Sequence, residues 1–267
     1  MMNVFNREIK TYWKSTLVWS ASLSVGVVVF LSMFSAFSGD VDATKSIMEH
    51  FPPAIRTAFN LSLRNLFTIY GFLAYLLTFL TLASAIQAMN LGVGIISKEE
   101  SGKTVDFLLS KPITRTRVVT GKLLAALLLI LFTNAIFVSV SIAMGEAVSK
   151  VDFDEKIYLL IATTMLLIQL FFLSFGALLS VIIPKIKSVI GVSLPAVFAV
   201  FFIGMLGSIL DNENIKYLSP FKYYDSNYII DHSAFDLKYL IIEAVFIVVA
   251  ITASYILYIK KDVRAAA

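Results

Sequence analysis

The sequence predicts an all-α integral membrane protein. Six transmembrane helices are expected, with an N-terminal interfacial helix, a short cytoplasmic helix, and extracellular re-entrant or short helices before the last span. Three observations predict it. Hydrophobic residues make up 58% of the 267 and charged residues only 15%, against roughly 25% charged in an ordinary globular domain. Too few charges remain to coat a soluble domain. The mean hydropathy of +0.85 is that of a chain dissolved in lipid. The apolar residues also gather into six stretches, each long enough to cross a hydrocarbon core ~30 Å thick at ~1.5 Å per helical residue.

Residues Met2 to Lys14 come first and alternate with helical period. Val4, Phe5, Ile9, Tyr12 and Trp13 share one side, and Asn6, Arg7, Lys10, Thr11 and Lys14 the other. That pattern predicts a helix lying in the membrane interface, with Tyr12 and Trp13 at headgroup depth. The spans then run from about Thr16 to Phe37, Leu66 to Ile96, Leu123 to Met144, Ile157 to Ile183, Val189 to Leu210, and Tyr239 to Ile259. The second and fourth exceed the minimum and should tilt or project. The first follows a basic flank but is longer than the ~7–15 residues of a signal core, so it is expected to be retained. No tandem repeat or Pro/Gly/Ser linker divides the sequence, which reads as one transmembrane domain over residues 1–267.

Six crossings put both termini on one side. If that side is the cytoplasm, the inside segments hold 14 of the 22 basic residues and the outside segments hold 12 of the 18 acidic ones. Basic residues near span ends stay inside, so both termini are expected to be cytoplasmic, in a multi-pass protein of the cell (inner or plasma) membrane. The same asymmetry accounts for the pI near 9.1 without a nucleic-acid partner.

Between the spans, Ser46 to Phe51 and Ala54 to Leu63 can each form short helices around the Pro52-Pro53 break. The loop from Asp211 to Lys238 is richer in aromatics. Pro220, Phe221, Tyr223 and Tyr224 would be costly in open water and suit the lipid interface or the mouth of a pathway. They are the extracellular gate candidates, on short helices interrupted at Pro220. Within the spans, Gln87, Asn90, Asn134 and Gln169 either line a pathway or make interhelical hydrogen bonds, worth ~0.6 kcal/mol on average. Glu243 lies near Lys238, where snorkelling is cheaper than ionisation at the midplane.

Cysteine is absent and the two histidines, His50 and His232, lie far apart in polar loops, which argues against thiolate chemistry and a catalytic metal centre. Gly102-Lys103-Thr104 invites a P-loop reading. The first glycine of that motif would have to be residue 97, which is Ser97, and a transmembrane helix precedes it where a β-strand is needed. An intramembrane protease is disfavoured because H-E-x-x-H, G-x-G-D and G-x-S-x-G do not occur.

The longest basic segment joins spans two and three. Its middle, Thr104 to Ser110, can form a short helix with Val105, Leu108 and Leu109 on one face, ended by Pro112. Thr114 then stands where an N-cap would start the third span. Exposed leucines on a short helix outside the bilayer call for a docking partner.

These residues resemble a known family. Glu99 or Glu100, Gly102, Thr104, Asp106, Leu108, Leu109, Ser110, Pro112, Ile113, Arg115 and Lys122 are similar to the E-x-x-G-(x)-T-x-[ED]-x-L-L-S-x-P-[IV]-[ST]-R signature of the permeases of type-2 ATP-binding cassette (ABC) transporters. Leu218-Ser219-Pro220-Phe221 and the six-span layout extend the likeness over nearly the whole chain. Lys103, inserted between the usual Gly and Thr, departs from it.

The resemblance implies a non-enzymatic subunit forming half of an export pathway. Two such subunits, copies or paralogues, pair above two separate ATPase subunits that bind the ATP and Mg; this chain carries no cofactor. Residues Thr104 to Ser110 would be the coupling helix, with Glu99, Glu100, Arg115 and Arg117 as ion-pair partners of the ATPase. The family's interfacial helix matches Met2 to Lys14. Aromatic and aliphatic walls suit an amphipathic or antimicrobial peptide, with lipid-linked molecules and drugs as alternatives. A non-transporting anchor or immunity subunit would share the docking helix.

Overall fold

The computed structural model describes residues 2–39, 45–46, 50–52, 55–56, 65–101, 114–149 and 153–260. They form α1 (Met2–Ser32), α2 (Phe34–Gly39), α3 (Ile69–Ser101), α4 (Arg115–Val148), α5 (Glu155–Ile182), α6 (Val189–Ile209), α7 (Glu213–Lys216), a 3-10 turn (Pro220–Lys222), α8 (Ser226–His232) and α9 (Leu237–Lys260). Among the described residues there is no strand, and α1, α3, α4, α5, α6 and α9 are long and apolar enough to cross a membrane. The short helices expected at 46–51 and 54–63 fall largely outside the described residues.

The first difference from the sequence reading is at the N-terminus. The separate interfacial helix and the first span are one unbroken helix, α1, which ends near Met33. No proline or glycine interrupts residues 2–25, so nothing in the local sequence breaks the backbone hydrogen bonds. Phe5, Ile9 and Tyr12 are partly buried and pack against the main core. Trp13 stands partly outside and meets Phe132 of α4 at 4.7 Å.

Other helix ends follow local chemistry. Thr114 caps α4 as expected, in extended conformation and accepting from the Arg117 N–H at 3.4 Å. The helix therefore starts two turns before the expected Leu123 and takes Lys122 into the protein. The Asp154 carboxylate caps α5 by accepting from the Lys156 N–H at 2.8 Å. Asp236 accepts from the Lys238 N–H at 3.0 Å and starts α9.

The core is organised around α3 and α5. Of the six long helices, α6 and α9 are the least buried, and α3 and α5 the most deeply. They cross where Gly92 faces Gly176. A Cβ on Gly92 would lie 2.4 Å from the Leu173 carbonyl oxygen, and one on Gly176 2.8 Å from that of Met89. Backbone touches backbone there, as small residues allow between membrane helices. The start of α1 and the end of α9 lie at one end of the bundle, the basal end, since Arg115 Nη1 donates to the Ile259 carbonyl at 3.0 Å and Glu8 meets Lys98 and Lys122. The opposite, capped end carries α7, the 3-10 turn and α8.

Candidate functional site

Among the described residues, three polar regions stand out in this apolar bundle. At the basal end, Glu8 of α1 is fully buried. Its Oε2 pairs with Lys98 in the last turns of α3, and its Oε1 with Lys122 of α4 at 3.3 Å. Lys122 is also fully buried and donates to the Ile95 carbonyl of α3 at 2.5 Å. Lys98 lies over the Tyr12 ring, 5.3 Å from its centroid. Tyr12 follows Glu8 by one helical turn, so both stand on the same face. Sequence reading counted Lys98 and Lys122 among the basic residues between spans two and three, with Lys122 also in the family-like motif, and gave Glu8 no role. The signal it missed was a lone acid at i−4 from Tyr12 within an otherwise apolar stripe.

This region flanks the expected docking segment. Glu99 and Glu100 lie in the last turn of α3, and Arg115 and Arg117 in the first turn of α4. Gly102, Thr104, Val105, Asp106, Leu108, Leu109, Ser110 and Pro112 lie outside the described residues.

The second region is midway along the bundle. Gln87 Nε2 donates to Thr133 Oγ1 at 3.0 Å, and Gln169 Nε2 donates to Gln87 Oε1 at 3.0 Å. Asn134 Nδ2 donates to Gln169 Oε1 at 2.5 Å, and Ser20 Oγ to Thr133 Oγ1 at 3.2 Å. Gln87, Asn134 and Gln169 are buried in this network, which joins α1, α3, α4 and α5. Asn90 is half-buried and outside it, and its Oδ1 has no partner among the described residues.

The capped end gathers the four aromatic-loop candidates. Pro220 is buried and starts the 3-10 turn. The Phe221 ring lies 5.3 Å from those of Phe172 and Phe201. Tyr223 stacks on Tyr239 at 5.2 Å and donates to the Tyr217 carbonyl at 2.7 Å. Tyr224 donates to Glu243 of α9. Glu243 is 2% exposed, which corrects the expectation that it snorkels to the surface. Tyr224, reaching in from the loop, gives the carboxylate an internal partner.

Beneath the cap is a cavity of about 340 Å³, lined among others by Thr78 and Thr81 of α3, Lys222, Tyr224 and Asp225. Burial lowers the Lys222 pKa to about 8, partly opposed by the Asp225 carboxylate, while Lys216 lowers it further. Burial and the nearby Glu243 charge raise Tyr223 to about 12 and push Tyr224 up as well. Asp211, on the surface, is held below the usual range by its hydrogen bond to Lys216 at 2.9 Å.

Six helices of bilayer length among the described residues define a multi-pass membrane protein. The model of the ABC-2 family transporter proteins matches residues 2–263, nearly the whole chain, and the chain belongs to that family. It is thus a membrane component of an ABC transporter, associated with an ABC ATPase partner and not itself the ATPase. No curated protein matches it.

Proposed function

We propose that this chain is the permease subunit of an ABC exporter. Two such subunits form the translocation pathway, and two ATPase subunits dock beneath them on the segment 104–110. The basal end is then cytoplasmic, with both termini, and the aromatic cap faces outward as the gate. ATP-driven closure of the ATPases moves the docked segments, and the attached helices convert that movement into repacking of the pathway. The exported substrate is an amphipathic peptide, with lipid-linked molecules and drugs as the next classes.

One observation carries the reading. The leucine-bearing motif from Gly102 to Arg115 sits between α3 and α4, within a chain matched to the family over residues 2–263. Gln87, Asn134 and Gln169 act as interhelical fasteners, because their side chains bond one another inside one subunit.

The test is the double substitution Leu108→Asp and Leu109→Asp. The variant is expected to reach the membrane with unchanged thermal stability, to lose co-purification with the ATPase, and to lose ATP-driven efflux of a fluorescent amphipathic peptide. Normal retention of the ATPase together with a normal efflux rate would refute the docking assignment. Efflux lost with the ATPase still bound would move the contact elsewhere.

A further inference from the structure

The basal ion cluster is more elaborate than helix packing requires. A carboxylate in the apolar interior is costly unless charges of opposite sign and hydrogen bonds satisfy it. Glu8 is fully buried, and each of its oxygens meets a different lysine. Those lysines come from different helices. Lys98 precedes the segment 99–121 and Lys122 follows it. Lys122 adds a second link, from α4 to the Ile95 carbonyl of α3, and Tyr12 places its ring under Lys98. One side chain of α1 therefore grips both roots of the cytoplasmic segment.

We infer that Glu8 is a positioning residue for energy coupling: it fastens α1 to the roots of the segment 99–121, so that the basal ends of α1, α3 and α4 move as one rigid body. This rests on the proposed reading of that segment as the ATPase dock. Without the tie, a push on the segment moves α3 and α4, which Lys122 still links through the Ile95 carbonyl, and leaves α1 behind. With it, the push reaches three spans at once. The tie resists separation of α1, because moving that helix away takes both lysines from a fully buried carboxylate. It also resists rotation, since Glu8 and Tyr12 hold Lys98 from successive turns of α1.

The chain contains no cysteine, so introduced thiols are the sole labelling sites. Asn6→Cys and Thr116→Cys place nitroxides at two exposed positions, one on α1 and one on the first turn of α4. The distance between them is measured by pulsed electron resonance in nanodiscs, diluted with unlabelled chain, with the ATPase bound and with or without ATP, Mg and vanadate. A single narrow distribution is expected in both states. Glu8→Gln is expected to broaden it at least twofold, and Glu8→Asp, which keeps the charge with a shorter reach, to broaden it less. A nucleotide-dependent shift in the unsubstituted protein, or an unchanged width in Glu8→Gln, overturns the inference. Should Glu8→Gln fail to fold, Glu8→Asp decides alone, by broadening or not. Failure of the ATPase to co-purify with the unsubstituted chain sinks the docking reading instead, and the label widths without ATPase still judge the tie.

Discussion

Substituting Gly92 by alanine tests the crossing of α3 and α5, on which the rest of the bundle is built. The added Cβ would lie 2.4 Å from the Leu173 carbonyl oxygen, 3.0 Å from the Ala177 nitrogen and 3.2 Å from the Gly176 Cα. Ordinary contact begins near 3.4 Å, so the helices must separate by about 1.0 Å (3.4 − 2.4) at this point. The obstructing atoms are backbone and cannot rotate away. A gap of this size forfeits roughly a quarter to a half of each dispersion contact across the crossing, and overpacking usually costs ~1–3 kcal/mol. We expect about 3 kcal/mol for Gly92→Ala. Gly176→Ala needs only 0.6 Å (3.4 − 2.8) from the Met89 carbonyl and should cost about half as much. Because both methyls occupy one gap, the double variant should cost less than the sum of the singles. The assay is reversible unfolding in mixed micelles, followed by helical circular dichroism. A Gly92→Ala midpoint equal to that of the unsubstituted protein, or a larger loss for Gly176→Ala than for Gly92→Ala, would refute the argument.

Two further outcomes follow from the polar regions. Gln169→Leu leaves the Gln87 Oε1 and Asn134 Nδ2 groups short of a partner and should destabilise by ~1–2 kcal/mol in the same assay, whereas Asn90→Leu, whose Oδ1 makes no bond among the described residues, should cost under ~0.5 kcal/mol. Lys222 has a folded pKa of about 8 against the ordinary 10.5. Between these values the unfolded chain binds the extra proton, so the stability of the capped end rises with pH across that window and is flat below it. Acetylation of Lys222 by acetic anhydride, read by mass spectrometry, should be half-maximal near pH 8, with Lys216 reacting only at higher pH because Asp211 holds its proton. A Lys222 midpoint above 10 would show that burial does not control this lysine.

Much of this architecture was legible because a bilayer imposes length and hydropathy on each span. Each of the six stretches overlaps one of the six long helices, and Thr114 caps α4 where its hydroxyl and the following basic residues suggested. What failed to show was anything dependent on tertiary contact. Lys122 has the composition of a loop residue, yet Glu8, more than a hundred positions away, lets it enter the protein. Glu243 reads as a surface acid by its distance from Lys238, and only folding of the 211–236 loop brings Tyr224 onto it. Residues 2–14 show a helical period in the sequence, but periodicity does not say that the helix runs on unbroken into the first span. Phe5 and Ile9 meet protein.

All three polar regions share a single helix. Along α3, Lys98 joins the basal ion cluster, Gly92 takes the crossing, Gln87 and Ser84 enter the internal network, and Thr81 and Thr78 reach the cavity under the cap. From Lys98 to Thr81 is about 26 Å at ~1.5 Å per residue. A rod of that length passes on a displacement only if it does not bend. Glycines and prolines are the usual bending points. α3 has no proline, and two of its glycines are pinned: Gly92 by the Leu173 carbonyl and Gly94 by the Tyr12 hydroxyl, 3.1 Å from where a Cβ would stand. Tyr12 is the residue that also supports Lys98. The contacts that hold the basal end together therefore stiffen the next turns of the same helix, and a push at residue 98 has no soft joint to spend itself in before it reaches the Gln87 network.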